Sequence, residues 1–296
     1  MGTSGRSSGP NPGTPLVPSW LDDTPATPPA PGDAAAAGTP LGDGDTPADT
    51  PKLPPQPPGP LPPMPPQPPP DRLRGARSNF SRFASSGGSD RRSLRRAVRE
   101  YVRSGTGGSR NATQRMGASR TAAGGVLRVF RDFQRDGVNA TLRRLNLGDL
   151  VGRTLEDVFA GLTDVVCNDG GSIDEGIALD AWLETVADLP VPDVSDPTAL
   201  TPNQMQDIFL AFIAHTIEGR LLHDIGANGL KVAADLSAVD AFEGQLRDYI
   251  RRSVRDSFTG DISAPAPLTD HHIQQLIDRT YQDAWELLVT WGDAAG

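Results

Sequence analysis

The chain of 296 residues carries a net charge of −9, but the charge is divided sharply along its length. Residues 1–70 hold 23 of the 29 prolines and carry −4; residues 71–145 hold 18 arginines and carry +13; residues 146–296 carry −18. No run of eighteen apolar residues offers a membrane span, and Cys167 as the sole cysteine rules out an intramolecular disulfide and fits a reducing compartment. The opening MGTSGRSSGPNP lacks the apolar stretch of a secretory signal, and Arg6 stands where a myristoylation pattern needs Ser or Thr. A soluble cytoplasmic protein is expected.

Residues 1–70 are rich in Gly, Ser and Pro and cannot bury enough apolar surface to offset the entropy of ordering, so a disordered tail is expected. Its end, PPQPPGPLPPMPPQPPP, favours polyproline II; at ~3.1 Å per residue, 51–70 would make a spacer of about 60 Å. Such a segment serves equally as an inert linker or as the target of a proline-recognising partner. Two features stand out within it. The tip Gly2, Thr3, Ser4 is small and unhindered, and Leu16, Val17, Trp20 and Leu21 form an apolar knot suited to docking in a partner's groove.

From Asp71 the pattern turns helical. In SDRRSLRRAVREYVRSG the residues Leu94, Ala97, Val98, Tyr101 and Val102 recur at i, i+3, i+4, i+7 and i+8, one apolar stripe. Arg91, Arg92, Arg95, Arg96, Arg99 and Arg103 cover the other side, with Ser89 expected as N-cap and Gly105 as the stop. A second helix is expected over 111–136, weakened at Gly117 and at Gly124-Gly125. The arginine forks suit phosphates, a partner's acidic surface, or the chain's own acidic half. Thin aromatic interleaving weakens a single-strand stacking role.

Residues 146–296 are cleaner. Ser172 with Glu175, and Thr201 with Gln204, read as capping boxes, the second with Pro202 at the first helical position. Three apolar stripes follow: Met205 to Ile225, Val239 to Phe258, and Ile273 to Trp291. The expected fold is all-α, a bundle of six to eight helices. It divides into a tail (1–70), an Arg-rich helical segment (71–145) and an acidic all-α core domain (146–296).

Little in this chain looks like a reaction centre. The histidines His215, His223, His271 and His272 include no i, i+4 pair, neither HExxH nor a Cys/His cluster is present, and surface or cap positions are expected for them. CNDGGSIDEG lacks the calcium-loop spacing, and no phosphate loop occurs; lysine is confined to Lys52 and Lys231. Asp180 and Glu184 share a helix face as surface carboxylates commonly do, and Cys167 reads as a small buried residue. No metal, no cofactor and no enzymatic activity are expected.

Five stretches in order carry a resemblance: MGTS at the start, TPLVPSW, YVRSGTGG, RMG at Arg115–Gly117, and CNDGGSIDEGIALDAWLE at 167–184. Together they resemble the QatB family of the bacterial four-gene Qat anti-phage defence system. The resemblance implies a non-catalytic component working beside an ATPase, a QueC-like enzyme and a TatD-like nuclease. It further implies that the chain is the partner, and the N-terminal acceptor, of the QueC-like enzyme, which activates a carboxylated deazaguanine with ATP. Gly2 would then be the acceptor once Met1 is removed. An α-amine titrates near about 7.7–8.0, so a useful fraction is nucleophilic at cellular pH, and a residue without Cβ enters a narrow site easily. The candidate partner-binding residues are Thr3, Ser4, Leu16, Val17 and Trp20 together with Arg91, Arg92, Arg95, Arg96, Arg99 and Arg103. The alternative is a nucleic-acid-binding module acting through the arginine helix, 89–104.

Overall fold

The computed structural model describes residues 71–167, 171–189, 196–226, 236–260 and 269–294. Among them every regular element is helical: α1 (Arg74–Ser85), α2 (Arg91–Glu100), α3 (Ser109–Gln114), α4 (Gly117–Asp136), α5 (Val138–Arg144), α6 (Leu155–Gly161), α7 (Thr163–Val166), α8 (Ile173–Ala187), α9 (Pro202–Leu221), α10 (Leu236–Ser257) and α11 (Asp270–Asp293). Seven of these eleven have ten residues or more, in line with the expected six to eight; the other four are short links. The expected tail, 1–70, lies outside the described residues.

The arginine helix begins and ends one step away from the sequence expectation. Its N-cap is Asp90, not Ser89: the Asp90 carboxylate accepts from the Ser93 amide at 3.1 Å and the Ser93 hydroxyl at 2.6 Å. Ser89 instead turns its hydroxyl back to the Ser86 carbonyl. At the other end the helix does not stop at Gly105 but loosens into a π turn, Tyr101–Thr106, and leaves at Gly107, whose φ is +83°. Gly105 serves packing: a Cβ there would lie 2.5 Å from Leu73 Cδ2.

The expected helix over 111–136 is two helices, broken at Arg115–Met116, beside the expected weak point Gly117, and unbroken at its paired glycines. Gly124 and Gly125 lie inside continuous α4, where a Cβ on Gly125 would come within 3.1 Å of Val166 Cα. Missing side-chain bulk lets α7 approach. Both capping boxes form as expected: Glu175 N donates to Ser172 Oγ at 3.2 Å and Ser172 N to Glu175 Oε2 at 2.9 Å, and Thr201 with Gln204 repeats the exchange. The stripe from Met205 to Ile225 is buried throughout.

The hydrophobic core is one cluster that draws on both sides of residue 145, so the 71–145 and 146–296 segments differ in charge but share their packing. Phe80 and Phe83 of α1 meet Phe242 of α10 at 5.4 and 5.6 Å, and Tyr101 meets Trp285 of α11 at 5.8 Å. The stripe of α2 needs a cover, and α11 supplies it. The two helices lie so close that a Cβ on Gly292 would sit 2.7 Å from Arg99 Cβ and 2.9 Å from the Arg95 carbonyl oxygen.

Candidate functional site

Gly2, Thr3, Ser4, Leu16, Val17 and Trp20 lie outside the described residues. The six arginines of the other candidate surface are described, and they divide. Arg103 pairs with Asp293 at 2.5 Å, Arg99 reaches the same carboxylate at 3.8 Å, and Arg91 Nε donates to Gln245 Oε1 at 3.4 Å. Further along the basic segment, Arg120 Nε donates to Asp278 at 2.7 Å and Arg131 Nη1 to Asp270 at 3.0 Å. Acids of α11 thus meet much of the basic charge from within the molecule. Arg92, Arg95 and Arg96 form no ion pair among the described residues; Arg92 is exposed, Arg96 half-buried, and Arg95 lines a cleft with Gln245, Asp248 and Tyr249 of α10.

Two polar networks run through the helical body. The first joins motifs that lie far apart along the chain. The α3–α4 break leaves the first amides of α4 without intrahelical partners. Asp174, from the SIDEG stretch of α8, accepts from Ala118 N at 2.7 Å and also pairs with Arg220 of α9. Arg220 in turn donates to the Arg115 carbonyl at 2.8 Å. Next to it Asp224 accepts from the Tyr101 hydroxyl at 2.8 Å, and burial beside that carboxylate pushes the Tyr101 pKa well above the usual phenol range. RMG, SIDEG and YVRSG converge on one structural staple.

The second network surrounds His215, which is not at the surface as expected: its side chain is 1 % exposed. Nδ1 lies 2.7 Å from Glu184 Oε2, out of line for a hydrogen bond, and 3.9 Å from Glu218 Oε2. Nε2 lies 3.1 Å from Asp188 Oδ2 and 3.1 Å from Arg251 Nη2. Arg247 donates from Nε to Glu218 Oε2 at 3.1 Å and from Nη2 to Glu184 Oε2 at 3.4 Å. Glu218 is 5 % exposed, and burial lifts its pKa to about 7 against the pull of Arg247; burial lowers that of His215. Asp188 and Arg251 also line a cleft of about 280 Å³ with Leu155, Leu200 and Ile208. Cys167 is buried as expected, its thiol pushed up to about 11 by desolvation.

Sequence reasoning missed this cluster because its members come from three helices. One local signal was available. α9 is apolar nearly all round, so His215 and Glu218, three residues apart, had no polar face to occupy.

A protein-family model described as "Qat anti-phage system associated protein QatB" matches residues 107–288. The chain belongs to the QatB family. No curated protein and no solved structure matches it. The QatB match opens at Gly107, the residue at which α2 and its π turn end, and runs to Leu288 within α11. Both polar networks fall mostly inside this span; α1, α2 and the tail precede it. As a QatB-family protein the chain is a component of the Qat anti-phage system. None of its described helices is long and apolar enough to cross a membrane.

Proposed function

We propose that this chain is the non-catalytic partner, and the N-terminal acceptor, of a QueC-like deazaguanine-transferring enzyme in a Qat-type defence complex, with the ATPase and TatD-like nuclease of the same system as further partners. The observation that carries the reading is the family match, which places the chain in a Qat system. The chemistry of the tip supports the rest. With Met1 removed, the Gly2 amine attacks the acyl carbon of an acyl-adenylate held by the enzyme, an amide C–N bond forms, AMP leaves, and the amine's proton passes to solvent or to a base of the enzyme. Thr3 and Ser4 add little bulk, and Leu16, Val17 and Trp20 anchor the tail behind the reacting amine.

The experiment is intact-mass analysis of the N-terminal peptide from cells expressing the whole system, beside the plating efficiency of phage. An adduct on the Gly2 amine is expected, lost in Gly2→Val, with protection falling in parallel. An unmodified Gly2, together with full protection by a folded chain lacking residues 2–10, would overturn the reading.

Arg92 and Arg96 favour a second reading, binding of nucleic acid through α2, because they form no ion pair among the described residues and are at least partly exposed. Submicromolar binding of duplex or single-stranded DNA, falling steeply with salt, would establish it. The ion pairs of Arg99 and Arg103 with Asp293 weigh towards protein contacts instead.

A further inference from the structure

We propose that Glu184, His215 and Glu218 form a binding site for a divalent transition-metal ion of the zinc class, with Asp188 as the outer partner of the histidine and Arg247 as the resident cation that the metal displaces. One ligand atom from each of the three residues lies within 4.8 Å of the other two. Around a tetrahedral ion with bonds near 2.0–2.1 Å, ligand atoms stand about 3.3 Å apart. The two contacts of His215 Nδ1, 2.7 and 3.9 Å, bracket that spacing. Bundle metal sites commonly pair Glu-x-x-His on one helix with a Glu on another; here the pair has the same spacing in the reverse order, His215 then Glu218.

Two independent observations point to a missing cation. His215 Nδ1 and Glu218 Oε1 are both buried and have no hydrogen-bond partner. A buried polar atom without a partner costs on the order of 1–3 kcal/mol, so an ion that takes up either atom recovers part of that cost. The orientation of the ring agrees. With the Nε2 proton directed at Asp188 Oδ2, 3.1 Å away, and Arg251 Nη2 beside it at 3.1 Å, the Nδ1 lone pair faces two carboxylates whose charge Arg247 alone offsets.

Charge decides how the ion enters. Glu184, Asp188 and Glu218 face Arg247 and Arg251, which leaves one negative charge in excess when the carboxylates are ionised and the ring is neutral. Exchange of Arg247 for a dication brings the group to neutrality. Arg247 is able to leave, since its side chain is 34 % exposed and its stem reaches solvent. Glu184, 51 % exposed, marks the route in from the surface. Binding then requires an ionised Glu218 and so releases any proton it holds.

The test uses the full chain, stripped with a chelator and titrated with zinc by calorimetry, and with cobalt by its visible absorption. One ion per chain is expected, with tetrahedral cobalt bands. Glu184→Gln, at an exposed position that leaves the core intact, and His215→Ala should each weaken binding by about tenfold or more. Arg247→Met should tighten it, a gain that a purely structural ion network would not give. His271→Ala/His272→Ala, which removes the exposed pair at the start of α11, should change nothing. The proposal fails if the native chain binds no ion, if binding follows His271 and His272, or if Glu184→Gln and His215→Ala bind as the native chain does.

Discussion

Asp174 holds two helices with one carboxylate, and its removal separates the two contributions. Asp174→Ala deletes the acceptor for Ala118 N and leaves Arg220, a guanidinium 11 % exposed, with only Asp224 at 4.0 Å as its counter-charge. Breaking a buried pair from one side costs about 3–5 kcal/mol. A loss of that order is expected in the denaturant midpoint, with Asp174→Asn between it and the native chain because the amide oxygen still caps α4. A change within about 0.5 kcal/mol for Asp174→Ala would mean that the staple carries no weight. At this scale the sequence was hard to read. RMG and SIDEG were visible as motifs, but their bond is between residues 56 positions apart. His215 was expected at the surface although α9 is apolar nearly all round, and its partners on α8 and α10 lie too far along the chain to correct that locally.

Helix–helix approach is set by glycines, and not all of them matter alike. Gly292→Ala puts a methyl group against Arg99 Cβ and the Arg95 carbonyl, atoms that cannot swing aside, so α11 must move off α2. Overpacking of this kind costs about 1–3 kcal/mol. Gly124→Ala meets only the far end of Arg128 at 3.3 Å, which can rotate away, and it removes a glycine from a helix interior. That change should stabilise by up to about 1 kcal/mol. Thermal melts of the two variants should shift in opposite directions; equal shifts would refute the contact assignment. Elements with a strong local code were read correctly, notably the two capping boxes and the α9 stripe. Those governed by tertiary fit were not. Gly105 looked like a stop and is a packing site, and the Gly124-Gly125 pair looked like a weak point and lies inside continuous α4.

Charge divides the molecule in a way that packing does not. A segment of +13 beside one of −18 suggested a basic appendage on an acidic body, yet Phe80, Phe83 and Tyr101 stand in the same core as Phe242 and Trp285. Deleting α1 and α2 should therefore be costly even though the family match starts only at residue 107. A chain of residues 71–296 should melt in a single cooperative transition, and one of residues 107–296 should melt broadly and expose apolar surface to a hydrophobic dye. If the shorter chain melted as sharply and at the same temperature, the shared core would be refuted. The helical class followed directly from periodicity, because 3.6-residue stripes recur through most of the chain after residue 71. The single core did not, because net charge reports on surfaces and says little about which apolar faces meet.

The contact between α2 and α11 also has a timetable. Arg103 and Asp293 are 190 residues apart in the chain. At roughly 5–20 residues per second, ribosomal synthesis leaves about 10–40 s between the appearance of one helix and the other. Throughout that interval the stripe of Leu94, Val98 and Tyr101 has α1 beside it but no α11 to complete its cover. Ribosomes stalled anywhere before α11 would release chains that display this face, natural clients for a chaperone and early targets for a protease.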